Sequence, residues 1–131
     1  TGGGICYVGD GQHDQIQVYA TNGTLLNLWG SHGSGPGQFN GLAGLAVDGA
    51  GNVYAVDYGN KRVEIFNSAG AYVAEFGGAG SGPGALSNPQ AVAVDPDGNV
   101  YVGDSNRIVK FGALTVPVHP MSWGAVKARY R

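Results

Sequence analysis

An internal repeat of 47 residues constrains this chain more than any other feature. When the sequence is shifted by 47 positions, Asp10 falls on Asp57 and Asp57 falls on Asp104. Between Asp10 and Asp57, 16 of 48 positions carry the same residue as the position 47 further on. Self-similarity at a fixed period of this length is the signature of a repeat architecture. The sequence therefore predicts a row of similar structural units.

Each unit contains four short apolar runs separated by turn residues, which is typical of a four-stranded antiparallel meander. In the second unit the runs cover 44–48, 53–57, 62–66 and 71–76. The first run is small and apolar, which predicts an innermost strand packed on both sides. The third run alternates polar and apolar residues, which predicts a half-exposed strand. No segment has a helical period, so the predicted fold class is all-β.

The motifs within the repeat resemble the NHL repeat of β-propeller proteins. Gly35-Pro36-Gly37-Gln38-Phe39 is similar to the loop signature of that family, and residues 57–66 (DYGNKRVEIF) are similar to its central signature. The third unit keeps the central signature over 104–111 but is two residues shorter. The first unit departs from it, because His13-Asp14-Gln15 stands where the second unit has Asn60-Lys61-Arg62. The resemblance covers roughly residues 5–111 and implies blades of a propeller.

On this interpretation residues 1–131 form a single partial β-propeller domain with three blades. Blade one covers 5–30, blade two 42–77 and blade three 90–118, with an outer strand expected at 114–118 and an atypical tail over 112–131. Propellers have about four to eight blades, and NHL propellers characteristically have six. We therefore expect two chains to form one homodimeric, six-bladed ring, with the tail segment 123–130 of one chain supplying the missing first strand of its partner's blade one. The alternative is that the chain is a fragment of a longer protein.

The charge of the chain bears on its partners. The formal net charge is −2 and the pI is about 5.8, which argues against a nucleic-acid partner. No apolar run approaches the length of a membrane span and no signal-peptide pattern is present. We expect a soluble protein, and the sequence does not indicate a compartment. The single cysteine, Cys6, lies in an apolar run and is predicted to be a buried small hydrophobic residue.

A repeated acidic residue ends the second strand of every unit. Asp10, Asp57 and Asp104 occupy this position, and Arg62 and Arg107 follow the last two of them. A carboxylate that recurs in each blade is predicted to be a structural brace that accepts turn N–H groups and pairs with arginine. The segment 95–99 (DPDGN) has some features of a calcium loop but lacks the bidentate glutamate. It is predicted to be a hairpin turn.

Histidines are the candidate metal ligands because they are not repeated. His13 with the adjacent Asp14, and His32, fall in two loop classes that emerge on the same side of a propeller. They are weak candidates for a metal or an acid–base pair. Because the sequence offers no third strong ligand, we expect no metal and no cofactor.

These sequence features are compatible with three classes of function. The resemblance favours a binding or scaffold module whose loops meet a protein or a small-molecule ligand, and disfavours an enzyme. One alternative is a metal-dependent lyase or hydrolase with its site in the central channel. The other is an RNA-binding propeller face. Fold alone does not decide between them.

Overall fold

The computed structural model of the chain describes residues 4–78 and 84–112. Within these residues the secondary structure is all β, without a helix. Accordingly, none of the described residues belongs to a helix long and apolar enough to cross a membrane. The strands are β1 (Ile5–Asp10), β2 (Gln15–Ala20), β3 (Leu25–Trp29), β4 (Ser31–His32), β5 (Gln38–Phe39), β6 (Leu42–Val47), β7 (Val53–Asp57), β8 (Arg62–Phe66), β9 (Tyr72–Gly77), β10 (Pro89–Val94), β11 (Val100–Asp104) and β12 (Arg107–Phe111).

Three antiparallel sheets correspond to the three predicted repeat units. Blade one is β1-β2-β3, blade two is β6-β7-β8-β9 and blade three is β10-β11-β12. The short strands β4 and β5 pair in parallel between blades one and two. The predicted meander of blade two is confirmed in all four strands. The outer strand expected at 114–118 and the tail segment 123–130 lie outside the described residues.

A repeated aspartate turn joins the first two strands of blades two and three. Asp48 accepts backbone N–H groups of Ala50 and Asn52, each at 2.9 Å. Asp95 accepts those of Asp97 and Asn99 in the same way, each at 2.9 Å. A side chain that satisfies the backbone of its own turn favours the hairpin over other conformations. The segment 95–99 is thus a hairpin turn, as predicted.

The blades pack face to face, so each blade has two faces. We call the face turned toward the preceding blade the front face and the opposite one the back face. The cluster between blades one and two joins Ile16 and Trp29 of the first back face to Val53, Ala55 and Phe66 of the second front face. The cluster between blades two and three repeats this arrangement. It includes Val56, Val63, Ile65, Phe76, Val100, Val102 and Phe111.

An aromatic pair marks the same point in both interfaces. Trp29 meets Phe66 with ring centroids 5.6 Å apart, and Phe76 meets Phe111 at 4.4 Å. Each outer strand then leads into a glycine with positive φ, Gly30 (110°) or Gly77 (106°). Because an added Cβ would collide with backbone or side chains at both positions, only glycine suits this exit from the blade. The repeat therefore preserves both the contact and the turn that follows it.

Two strands have a different burial from the one predicted. The third strand of blade two, β8, is completely buried rather than half exposed, because Arg62 and Glu64 are covered by the loop that enters the blade. The first strand, β6, packs between β1 and β10, as predicted. It is nevertheless only partly buried, and its Ala43 and Val47 are exposed.

The prediction for Cys6 is wrong, because the residue is exposed. Its repeat equivalent, Val53, is fully buried in the front face of blade two by blade one. Cys6 belongs to the front face of blade one, and among the described residues no blade precedes it. The apolar run was therefore identified correctly as a strand, but its packing partner is not within the described chain.

Candidate functional site

The turns between the second and third strands of the repeat and the loops between blades lie on one side of the molecule. We call this side the turn side. It includes the turns at 10–15, 57–62 and 104–107 and the loop 30–41. Backbone hydrogen bonds join the loop 30–41 to the turn 57–62, since Tyr58 N–H donates to Gly41 O and Gly59 N–H donates to Asn40 O. All predicted site residues within the described chain belong to this side.

Asp57 is the best-connected carboxylate of the turn side. It is fully buried and accepts the Asn40 backbone N–H, the Asn60 amide and Arg62 Nε, each at 2.8 Å. These donors come from two different segments. Asp57 thereby joins the loop before β6 to the turn after β7. This geometry suits the predicted role of a brace.

Asp104 has the equivalent contacts in blade three. It is fully buried, accepts the backbone N–H of Asn88 at 2.6 Å and lies 2.8 Å from an Arg107 terminal nitrogen. Burial alone would raise the pKa of Asp104, but the hydrogen bonds from Asn88, Arg107 and Ser87 outweigh it and lower the pKa. The ionised form is the one that binds these donors.

Asp10 has only local contacts. Its carboxylate accepts the backbone N–H groups of Gln12 and His13 and lies 2.8 Å from His13 Nδ1. No arginine follows it, because Gln15 occupies the position of Arg62. The exposed fraction of its side chain is 26%, compared with 0% for Asp57 and Asp104. Asp10 therefore braces its own turn and joins no second segment among the described residues.

Asp14 takes over the task of joining blades one and two. Its Oδ1 accepts the backbone N–H groups of Gly41 and Leu42, and its Oδ2 lies 2.9 Å from His32 Nδ1. Burial raises the pKa of Asp14, but these hydrogen bonds more than compensate and the net pKa is lowered. Asp14 also has a positive φ of 53°, a conformation that aspartate tolerates better than most residues.

The two histidines pair with different carboxylates. His13 is held by Asp10 and His32 by Asp14, in both cases through Nδ1, and both rings are largely exposed. A histidine that binds a metal through one ring nitrogen commonly donates the N–H of the other to a carboxylate. Within residues 4–78 and 84–112, however, no group of three or more His, Cys, Asp or Glu side chains is placed to hold a metal ion. The arrangement provides two separate Asp–His pairs.

A buried charged cluster beneath the loop 33–38 was missed by the sequence reasoning. Arg62 contacts Asp57, Glu64 and Glu75 at 2.8, 3.2 and 3.1 Å. Tyr72 donates its hydroxyl to Glu75 at 2.9 Å. Glu64 stands at an alternating polar position of β8, so its sequence context indicates exposure. One sequence feature could have identified Glu64: the acidic residue is not repeated, since Gln17 and Val109 occupy the equivalent positions of the other blades.

Glu64 is the most perturbed carboxyl group of the cluster. It is fully buried, and burial raises its pKa to about 7 despite the opposing effects of the Gly37 N–H and Arg62. Its Oε1 accepts the Gly37 N–H at 2.8 Å. Within the described residues its Oε2 has no hydrogen-bond partner, although Arg62 is near. Three carboxylates thus share one guanidinium, which leaves Glu64 the group that takes a proton near neutral pH.

Comparison with known protein families agrees with this architecture. Residues 39–66 match the NHL repeat family, and residues 71–106 match the SBBP family, described as a beta-propeller repeat. The first match includes strands β6, β7 and β8 of blade two, and the second extends from β9 of blade two through β11 of blade three. Both matches support the NHL-repeat β-propeller family that the motifs predicted. No curated protein matches the chain.

Proposed function

We propose that the chain is a protein-binding scaffold module that works as half of a six-bladed ring formed with a second copy. Repeats of this class generally belong to binding or scaffold modules. The observation that carries the proposal is the exposed apolar front face of blade one. The packing of the described blades indicates what kind of surface covers such a face.

The front face of blade one includes Cys6 and Val8, whose equivalents in blade two, Val53 and Ala55, are fully buried. The register of the sheet puts Val8, Gln17 and Leu28 side by side, and Cys6 beside Tyr19. Val8, Leu25 and Leu28 are 43%, 51% and 45% exposed. In blade two the equivalents Val53, Ala55 and Phe66 pack against the back face of blade one, whereas Glu75, the equivalent of Leu28, is 35% exposed. An apolar face of this kind is typical of an interaction site.

Blade three offers the complementary surface. Its back face includes Ala91, Ala93, Tyr101 and Ile108, which follow from the pairing of β10, β11 and β12. Ile108 is 69% exposed, whereas its equivalent Val63 is fully buried. Among the described residues no element covers Ile108. If blade three of one copy packs on blade one of the other, each open face receives the kind of face that covers it inside the chain.

The turn side is the proposed binding surface of this ring. The braces at Asp57 and Asp104 recur, whereas the exposed groups around them differ from blade to blade. His13, His32 and Tyr58 are exposed and have no identical repeat equivalent. Variable side chains on a fixed framework are typical of a binding surface. We favour a protein ligand because the described groups form a broad surface.

The assembly is tested by light scattering coupled to size exclusion at micromolar concentration. We expect twice the mass of 13.3 kDa for the unchanged chain and the mass of one chain for Leu28→Glu. Leu26→Glu is the matched control, because Leu26 is similarly exposed, at 51% compared with 45% for Leu28, but its equivalent, Val73, packs on the side of the following blade. A one-chain mass for the unchanged protein, or equal behaviour of both variants, contradicts the ring.

The binding role is tested by crosslinking the folded protein in an extract of its source and identifying captured proteins by mass spectrometry. Tyr58→Ala on the turn side should lose a captured partner that Asp97→Ala, in a turn on the opposite edge, retains. Equal capture by both variants would contradict binding through the turn side. Circular dichroism of each variant checks that the fold is unchanged.

A further inference from the structure

We propose that the loop 33–38 is a proton-controlled cover, closed over Glu64 when that residue is protonated and opened when it ionises. This inference goes beyond the proposed binding role and concerns a single chain. It depends on how the loop is held, on what it covers, and on how the buried charge beneath it is balanced.

The loop is held by side chains of blade two. Asn60 donates its amide to Gly33 O at 3.0 Å, and Arg62 donates to Gly35 O at 3.0 Å and to Gln38 O at 2.8 Å. The loop returns one donor, the Gly37 N–H, to Glu64. The sequence of the loop, Gly-Ser-Gly-Pro-Gly-Gln, contains no charged residue and no large apolar side chain. It is therefore held mainly by polar contacts to β8 and the turn before it.

The groups around Glu64 do not balance its charge. The charged groups facing it are Arg62 from its own strand, Asp57 from β7 and Glu75 from β9. Tyr72 of β9 is a further titratable neighbour, and the loop contributes only the Gly37 N–H. Asp57 and Glu75 already engage the guanidinium of Arg62. An ionised Glu64 therefore carries an excess negative charge in a fully buried site.

Opening of the loop is the local route by which Glu64 reaches water. The protonated side chain is neutral and keeps Oε1 as an acceptor for Gly37, so it suits the closed loop. The ionised side chain gains hydration when the loop lifts. Because the closed state binds the proton more tightly than the open state, a rise in pH favours opening. The opening equilibrium should change by up to about tenfold per pH unit between the titration ranges of the open and closed states.

Hydrogen exchange of the Gly37 amide, measured by NMR between pH 5 and 8, tests this inference. After correction for the intrinsic exchange rate, we expect the Gly37 protection factor to fall by up to about tenfold per pH unit up to about pH 7, and then to level off. The Gly33 amide, which donates to Phe39 O in the same loop, should follow it. The Gly51 amide, which donates to Asp48 O in a hairpin turn, is the internal reference and should remain constant.

The control variant is Glu64→Gln, in which the acceptor for Gly37 is kept and the charge is removed. The chain itself has glutamine at the equivalent position of blade one, Gln17, so the substitution suits the fold. Its Gly37 protection factor should not change with pH. The carboxyl carbon shift of Glu64 gives the titration directly in the unchanged protein. A Glu64 that titrates near pH 4.5, a constant Gly37 protection factor, or the same pH dependence in Glu64→Gln would each overturn the proposal.

Discussion

At the scale of single residues, equivalent positions of the repeat have acquired different tasks. Asp57 and Asp104 join a turn to the loop before the inner strand, whereas Asp10 holds only its own turn. The link between blades one and two is made by Asp14, a residue that has no acidic equivalent in blade two. Contact partners, rather than residue type, therefore decide what each carboxylate contributes to stability.

Substitution of Asp57 should show this difference. Asp57→Ala removes from a buried site the carboxylate that accepts from Arg62 Nε and the Asn40 N–H. We expect a loss of about 2–4 kcal/mol in the free energy of unfolding. Asp10→Ala is the matched control and should lose clearly less, because its donors remain exposed to water. Urea denaturation measures both, and equal losses would contradict the brace.

Glu64 provides a prediction of opposite sign. Its pKa in the folded chain is raised to about 7, above that of the unfolded chain. The folded state therefore holds the proton more tightly, and the stability that this provides is lost as the pH rises from about 4.5 to 7. Relative to the unchanged protein, Glu64→Gln should gain at most about 1.4 kcal/mol of unfolding free energy per pH unit across this window. Denaturation of both proteins at pH 5 and pH 8 gives this difference; a pH-independent difference would contradict it.

At the scale of strands and sheets, the interfaces between blades depend on matched aromatic positions. Trp29 packs on Phe66 where Phe76 packs on Phe111. The indole Nε1 of Trp29 is buried and has no hydrogen-bond partner among the described residues. A phenylalanine would remove this unsatisfied donor and retain a ring at the interface.

We therefore predict that Trp29→Phe is tolerated, with a change of less than about 1.5 kcal/mol, whereas Trp29→Ala costs about 3 kcal/mol. Differential scanning calorimetry provides the measurement. If the phenylalanine variant loses as much as the alanine variant, the two interfaces are not equivalent and the indole has a role of its own.

The positions of the strands could be predicted from the sequence, whereas the burial of individual strands and side chains could not. Apolar runs and the Gly-Asn turn locate the four strands of blade two to within two residues. Burial of β8 was missed because Glu64 lies under a loop that is distant in sequence, and alternation within a strand contains no information on such a cover. Cys6 was misjudged for the converse reason, since its sequence context is apolar but no blade covers it among the described residues.

The candidate site was predictable only where the repeat itself marked it. Asp57 and Asp104 stood out because each recurs with an arginine behind it. Asp48 and Asp95 carry an equally regular signal, since each is followed by an asparagine and a tyrosine that bond to it, yet only the segment 95–99 was predicted to be a hairpin turn. The sequence predicted that the loops of Asp14 and His32 lie on the same side, but not the contact between these residues, which are 18 positions apart.

At the scale of the whole molecule, the two exposed outer faces, one on blade one and one on blade three, determine how the chain associates in the proposed ring. Inside the chain, the back face of each blade packs on the front face of the next blade. The back face of blade three and the front face of blade one could pack on each other in the same way. Closure between two copies would remove both from water at once. The fraction of assembled protein should therefore rise with protein concentration, and the accessibility of front-face side chains to reagents should fall with it.

Cys6 is a natural reporter of this closure. It is the single cysteine of the chain, it is exposed in the isolated chain, and it lies on the front face of blade one. In the proposed ring the partner's blade three covers it, so the rate of thiol modification should fall as protein concentration rises through the dissociation constant. Leu28→Glu, which should prevent closure, should keep the fast rate at every concentration, and Leu26→Glu should behave as the unchanged protein. Modification kinetics with a chromogenic disulfide reagent measure all three, and a rate that is independent of concentration in the unchanged protein would contradict closure through this face.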